Sequence, residues 1–149
     1  MKTILDDILL IKKGFICHQV NCKGKMGKGI ALSIRKKFPI VYEEYMELHR
    51  NKSLALGNIL ISKINEDLYV VSLMAQYNYG YNNRFTDYDK FKECILKLRS
   101  YIERLDSDTY PVFLPYKIGC INAGGDWNII LDVIKEVLPN AIIVRKVKK

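Results

Sequence analysis

The chain predicts an α/β fold with helices on both faces of a mixed central sheet, within one domain spanning residues 1–149. Segments of strand character alternate with segments of helical periodicity along the whole length. The stretch 15–20 is apolar toward both faces, as a central strand is. Two glycine-bearing loops each run from a strand end into a helix start, which puts both at the edge of the sheet where open α/β folds bind ligands.

Taken in order, residues 2–5 read as a short first strand ending at Asp6 and Asp7. Residues 8–11 form an apolar patch, and Lys12, Lys13 and Gly14 a turn. The central strand follows over 15–20. A helix is predicted over 28–38, with Ile30, Ile34 and Phe38 on one stripe, ended by Pro39. A second helix covers 40–49. Residues 58–64 alternate and 68–75 are continuously apolar, two strands joined by a hairpin turn at Asn65, Glu66 and Asp67. A loop rich in tyrosine and asparagine fills 76–86. The longest helix spans 87–105, with Phe91, Ile95, Leu98, Ile102 and Leu105 at three/four spacing and Thr86 or Asp87 as its cap. A strand over 112–116, a loop over 117–125, a helix over 126–138 and a strand over 141–147 complete the chain. The buried face of that last helix is expected to hold Ile129, Ile130, Val133, Ile134, Val137 and Leu138.

Composition is 49% apolar and 27% charged, that of an ordinary soluble globular protein. No apolar run approaches the roughly 20 residues of a membrane span. The start of the chain carries two acids where a signal peptide needs basic and then long apolar sequence. A cytoplasmic protein with no membrane partner is the expectation, and with it four reduced cysteines: Cys17, Cys22, Cys94 and Cys120. Net charge is +8, unevenly placed: from Ile8 to Tyr42 there are eight Lys/Arg and no Asp/Glu. Such a zone suits a phosphorylated ligand, and it also suits nucleic acid as a secondary partner.

The basic zone surrounds the stretch that organises the rest, GFICHQVNCKGKMGKGIA from Gly14 to Ala31. Glycines let backbone N–H groups approach an anion closely, and the helix start that follows favours negative charge. The spacing of Gly24, Gly27 and Gly29 fits neither G-x-x-x-x-G-K-[ST] nor G-x-G-x-x-G, so the phosphate site is of another kind. Backbone donors of this type need no metal or other cofactor to hold a phosphate.

NCKGKMGKGIALSIRKKFP, VSLMAQYNYG, RFTDY and LPYKIGCINAGGDW, in that order, resemble the macro domain family. The likeness is greatest to its small ADP-ribose 1''-phosphate phosphatases and terminal ADP-ribose hydrolases. The resemblance implies a three-layer α/β/α fold with ADP-ribose, free or on an ADP-ribosylated macromolecule, in a cleft at the strand ends. By that resemblance Asp7, before Ile8, meets the adenine amino group, and Asn21 faces the distal ribose. Gly27, Lys28, Gly29 and Ile30 form the loop beside the distal ribose and diphosphate. Gly119, Cys120, Ile121, Asn122, Ala123, Gly124 and Gly125 form the loop that wraps the diphosphate. Ile121 and Asn122 stand where relatives commonly have Gly-Leu.

For chemistry, the resemblance offers two types. The glutamate-deconjugating type uses a lysine after the central strand and an aspartate in the second loop, where this chain has Met74 or Ala75 and Ala123. The 1''-phosphate phosphatase type uses a strand histidine, which His18 matches. His18 would then manage protons near neutral pH, Asn21 would position ribose or water, and Asp126 would orient water or simply cap the following helix. Zinc held by Cys17, His18 and Cys22, with Cys120 as a further ligand, is disfavoured, because the strand neighbours Cys17 and His18 point to opposite faces. A Cys120 nucleophile served by His18 is a further alternative. Tyr77, Tyr79 and Tyr81 are candidates for the cleft mouth, and Arg145 for the adenine end.

Overall fold

The computed structural model describes residues 1–80, 83–105 and 110–147. Its six strands are β1 (Lys2–Leu5), β2 (Gly14–Val20), β3 (Ile59–Lys63), β4 (Leu68–Met74), β5 (Val112–Pro115) and β6 (Ile142–Arg145). They form one sheet in the order β1-β6-β5-β2-β4-β3. All neighbours are parallel except β3, which pairs antiparallel with β4 at the edge. The four helices are α1 (Gly29–Lys37), α2 (Pro39–Arg50), α3 (Tyr88–Arg104) and α4 (Trp127–Val137).

β2 is the middle of the sheet, and every residue in it is buried. Its alternation divides the core. Phe15 and Cys17 join Phe91, Ile95 and Leu98 of α3 and Ile130 and Ile134 of α4 on one face. Ile16 and Val20 join Ile34 of α1 and Val41 and Tyr45 of α2 on the other. The result is the expected three-layer α/β/α arrangement. Fully burying one such Ile or Phe side chain contributes about 1.5–3 kcal/mol, so the two helical layers are each anchored by several residues of this kind.

Element ends fall within two residues of the sequence expectation, with physical reasons where they differ. Pro39 does not merely end α1; it opens α2 at the first helical position, where its missing N–H costs nothing. Asp87 is the cap of α3, its Oδ1 accepting the Lys90 N–H at 3.0 Å, and Thr86 is used elsewhere. Residues Ile8–Leu10 form a 3-10 turn capped by Asp7. Two expected core residues lie outside: Ile129 is 42% and Leu105 40% exposed. Ile129 sits one residue off the Ile130–Ile134–Val137 stripe, and Leu105 lies past the end of α3.

The parallel strands all end on one side. The loops after β2 and β5 therefore leave the sheet together, and each runs into a helix start.

Candidate ligand cleft between two glycine loops

Between those loops lies a cavity of about 470 Å³. Asn21, Gly27, Lys28, Gly29 and Ile30 line it from the first loop; Gly119, Ile121, Asn122 and Ala123 line it from the second. Gln19, Gln76, Tyr79 and Tyr116 contribute to the floor and walls.

The first loop hangs on Asn21. Its Oδ1 accepts the N–H groups of Lys23 at 2.9 Å and Lys25 at 3.3 Å, and its Nδ2 donates to the Lys25 carbonyl at 2.8 Å. The buried Tyr45 hydroxyl of α2 lies 2.7 Å from the Asn21 carbonyl oxygen and accepts the Gly24 N–H at 3.1 Å. Burial raises the Tyr45 phenol well above its ordinary value, so it stays protonated and keeps donating. Gly24 has φ +77°, and a Cβ there would lie 2.6 Å from the His49 ring. By contrast, a Cβ on Gly27 would meet nothing within 4 Å: this residue faces the open cavity.

The second loop closes on its own backbone. The Gly125 N–H donates to the Gly119 carbonyl at 2.9 Å, and the Ala123 carbonyl accepts from Phe85 and Thr86. Thr86 Oγ1 donates to the same Gly119 carbonyl at 2.6 Å. Gln19 Nε2 in turn donates to Thr86 Oγ1 and to Gln76 Oε1, both at 2.8 Å.

Among the described residues, the backbone N–H groups of Gly27, Gly29 and Ile30, and of Ile121, Asn122 and Ala123, make no hydrogen bond within the protein. The Asn122 side-chain Nδ2 comes within 2.9 Å of where a Gly29 Cβ would be, so the two loops nearly meet there. With the start of α1 beside them, they make an anion cradle. Exposed Lys25, Lys28 and Lys117 stand around it.

The proposed chemical residues fare differently. His18 does not face the cleft. It is fully buried on the α1/α2 side of the sheet, its Nε2 2.7 Å from Ser72 Oγ on β4. Burial pushes its imidazole down to about 3, so it is neutral at physiological pH. The expectation that it manages protons at the ligand is corrected on that ground: it is a core residue. Asp126 is exposed and caps α4, its Oδ1 accepting the Asn128 N–H at 2.8 Å; it lines no part of the cavity. Asn21 does reach the cleft, but its amide is engaged in building the loop.

Asp7 and Ile8 also lie outside the lining: Asp7 Oδ1 accepts the Leu9 N–H at 3.0 Å, and Ile8 is in the core. Cys120, Gly124 and Gly125 belong to the second loop but do not line the cavity. The Cys120 thiol is pushed up to about 11 by partial burial, with Asp126 adding to the shift, so it is not a ready nucleophile. Cys17 lies in the α3/α4 core, on the face opposite His18, and cannot share an ion with it. Tyr79 is on the wall and half exposed, while Tyr77 carries Lys23 over its ring at 4.3 Å. Tyr81 falls outside the described residues. Arg145 stacks on Tyr116 at 4.4 Å, which brings it to one end of the cavity.

Sequence reading missed Gln19, Gln76 and Thr86. The available signal was a glutamine near the carboxyl end of a buried parallel strand, where a polar side chain needs a partner.

No family model matches the chain, and no curated protein matches it. Solved structures do. A protein of unknown function from Bacteroides thetaiotaomicron superposes with TM-score 0.87 at 26% identity, covering 98% of this chain and 97% of that one. The macrodomain of Mycobacterium tuberculosis DarG gives TM-score 0.78 at 19% identity, covering 99% and 97%. Thermosipho africanus DarTG, solved in complex with ADP-ribose, gives 0.79 at 16% identity, covering 99% of this chain and 43% of that one. The fold of this chain is the macrodomain fold.

Proposed function

We propose that the protein binds ADP-ribose, or a derivative carrying it, in the cleft between the two loops. The carrying observation is the pair of loops whose backbone N–H groups at Gly27, Gly29 and Ile30 and at Ile121, Asn122 and Ala123 are left for an anion such as a diphosphate, on either side of a cavity of about 470 Å³. In this reading the distal ribose lies toward Asn21, Gly27 and Ile121. The adenine lies toward Tyr116 and Arg145, with the second carboxylate oxygen of Asp7 left for its amino group. The ADP-ribose complex of a neighbour with the same fold supports the choice of ligand.

Binding, rather than hydrolysis, is the activity this geometry supports best. Among the described residues, the cavity lining contains no carboxylate and no histidine. The phosphatase or hydrolase branch suggested by resemblance therefore lacks its proton-handling residue, as His18 is enclosed.

Calorimetric titration with ADP-ribose, using AMP and ribose 5-phosphate as controls, tests the proposal. Micromolar binding of ADP-ribose and far weaker binding of either half is the expected result. Gly27→Glu adds a carboxylate beside the cradle from a position where a Cβ meets nothing within 4 Å, so it is expected to abolish binding and leave the melting temperature unchanged. Unaltered affinity in that variant rejects the site. A phosphate-release assay on ADP-ribose 1''-phosphate is expected to give no turnover; turnover that survives His18→Leu would assign catalysis to a group in the cleft.

A further inference from the structure

A second groove of about 540 Å³ lies away from the cleft, between α3 and the edge strand β3, and shares no lining residue with it. Its apolar wall is Ile59, Ile61, Leu96 and Tyr101; Lys97 and Arg104 stand on its rim.

The strand beside it has an open hydrogen-bonding edge. Among the described residues, β3 pairs only with β4. In that antiparallel ladder the Met74 N–H donates to the Asn58 carbonyl at 3.0 Å and the Ile64 N–H to the Leu68 carbonyl at 2.9 Å. Antiparallel pairing alternates, so even-numbered residues turn their backbone groups toward β4 and odd-numbered residues turn theirs outward. The Ile59 N–H is closed off by Asn58 Oδ1 at 3.0 Å. That leaves the N–H and C=O groups of Ile61 and Lys63 outward, a two-residue template for another strand. The side chains of Ile59 and Ile61 point into the groove, so a strand laid along this edge would set alternate side chains against them.

We propose that this edge binds an extended, acidic segment of a partner protein by strand addition. Charge selects the occupant. Among the described residues no Asp or Glu lines the groove and Lys97 and Arg104 form no ion pair, while Lys63 and Arg99 are paired with Glu66 and Glu103. A second copy of this chain, paired edge to edge, would bring the same cations together. A peptide with apolar residues toward the groove and carboxylates at its rim satisfies both features, the main chain supplying affinity and the side chains specificity.

The test is an amide NMR titration with a short acetylated peptide of alternating valine and aspartate, against its valine–lysine counterpart. Shifts confined to Ile59–Lys63 and α3, seen with the aspartate peptide alone and weakened by salt, are expected. Ile61→Pro removes an outward donor without touching the β4 ladder, as edge strands allow, and weakens binding at least about tenfold. Lys97→Glu with Arg104→Glu weakens it about tenfold with the strand intact, which keeps the test decisive should the proline variant misfold. Equal binding of both peptides, or shifts in the glycine loops instead, overturns the proposal. So does concentration-dependent self-association abolished by Ile61→Pro, which makes a second copy the occupant.

Discussion

The two loops that face each other across the cleft expose the same backbone chemistry but are held by opposite means. The first is organised from the side by one amide, Asn21, and one buried phenol, Tyr45. The second is organised by its own main chain, closing from Gly125 to Gly119 with Thr86 as a brace. A hub of side chains can be loosened by degrees. A main-chain closure has no room for an intermediate state, because the glycines in it are there for lack of a Cβ.

The sharpest way to break the comparison is Gly125→Val. A Cβ at this position lies 2.7 Å from the Gly119 carbonyl oxygen, so the closure and the added side chain exclude each other. We expect a loss of stability of about 2–4 kcal/mol and no measurable ADP-ribose binding, read by urea denaturation and calorimetry. A variant as stable as the parent would mean the loop is not closed in this way.

Acid should weaken the first loop's side of the sheet, where His18 lies. Its folded-state value of about 3 is below the ordinary 6.5. The charged form is thus disfavoured in the folded state, and the unfolded chain takes up the proton first. His18 stabilises fully above about pH 6.5, and that contribution drains away as pH falls toward 3. Between about pH 7 and pH 5 the loss is about 2 kcal/mol, and it should vanish from the His18→Leu variant. Parallel pH profiles for the two proteins would contradict the burial.

Tyr45→Phe tests the hub itself. It strands the Gly24 N–H in a buried place, at a cost of about 1–3 kcal/mol. Affinity for ADP-ribose is expected to fall about tenfold, while amide shifts of Gly119–Gly125 stay put. If both loops moved equally, they would not be separately held.

The smallest effect belongs to Asn122→Ala, at the point where the loops nearly meet. Stability should not change, and affinity should drop by about threefold to tenfold. No change at all would remove Asn122 from the ligand.

Much of this was readable from the chain. Strand and helix periods are local properties, so Phe15, Ile34, Ile95 and Ile130 declared their faces without help from the fold. The glycine loops were equally legible, since glycine beside a helix start is a local device for presenting N–H groups. Cap chemistry is local too, which is why Asp126 and Asp87 were readable as caps.

His18 was not legible in the same way. A histidine on a strand before an anion loop reads the same whether it faces ligand or core, and only the packing of α1 and α2 over that face buries it. The brace of Gln19, Gln76 and Thr86 joins residues 57 and 67 positions apart, which no local pattern relates. The open edge of β3 likewise depends on sheet order, because a strand cannot encode in its own residues whether a neighbour will lie on its far side. Periodicity, turns and caps, set by each residue and its near neighbours, were determined by the sequence alone. Which polar groups were buried, which were paired and which were left facing the cleft was decided by the assembled structure, because burial is a property of what lands on top.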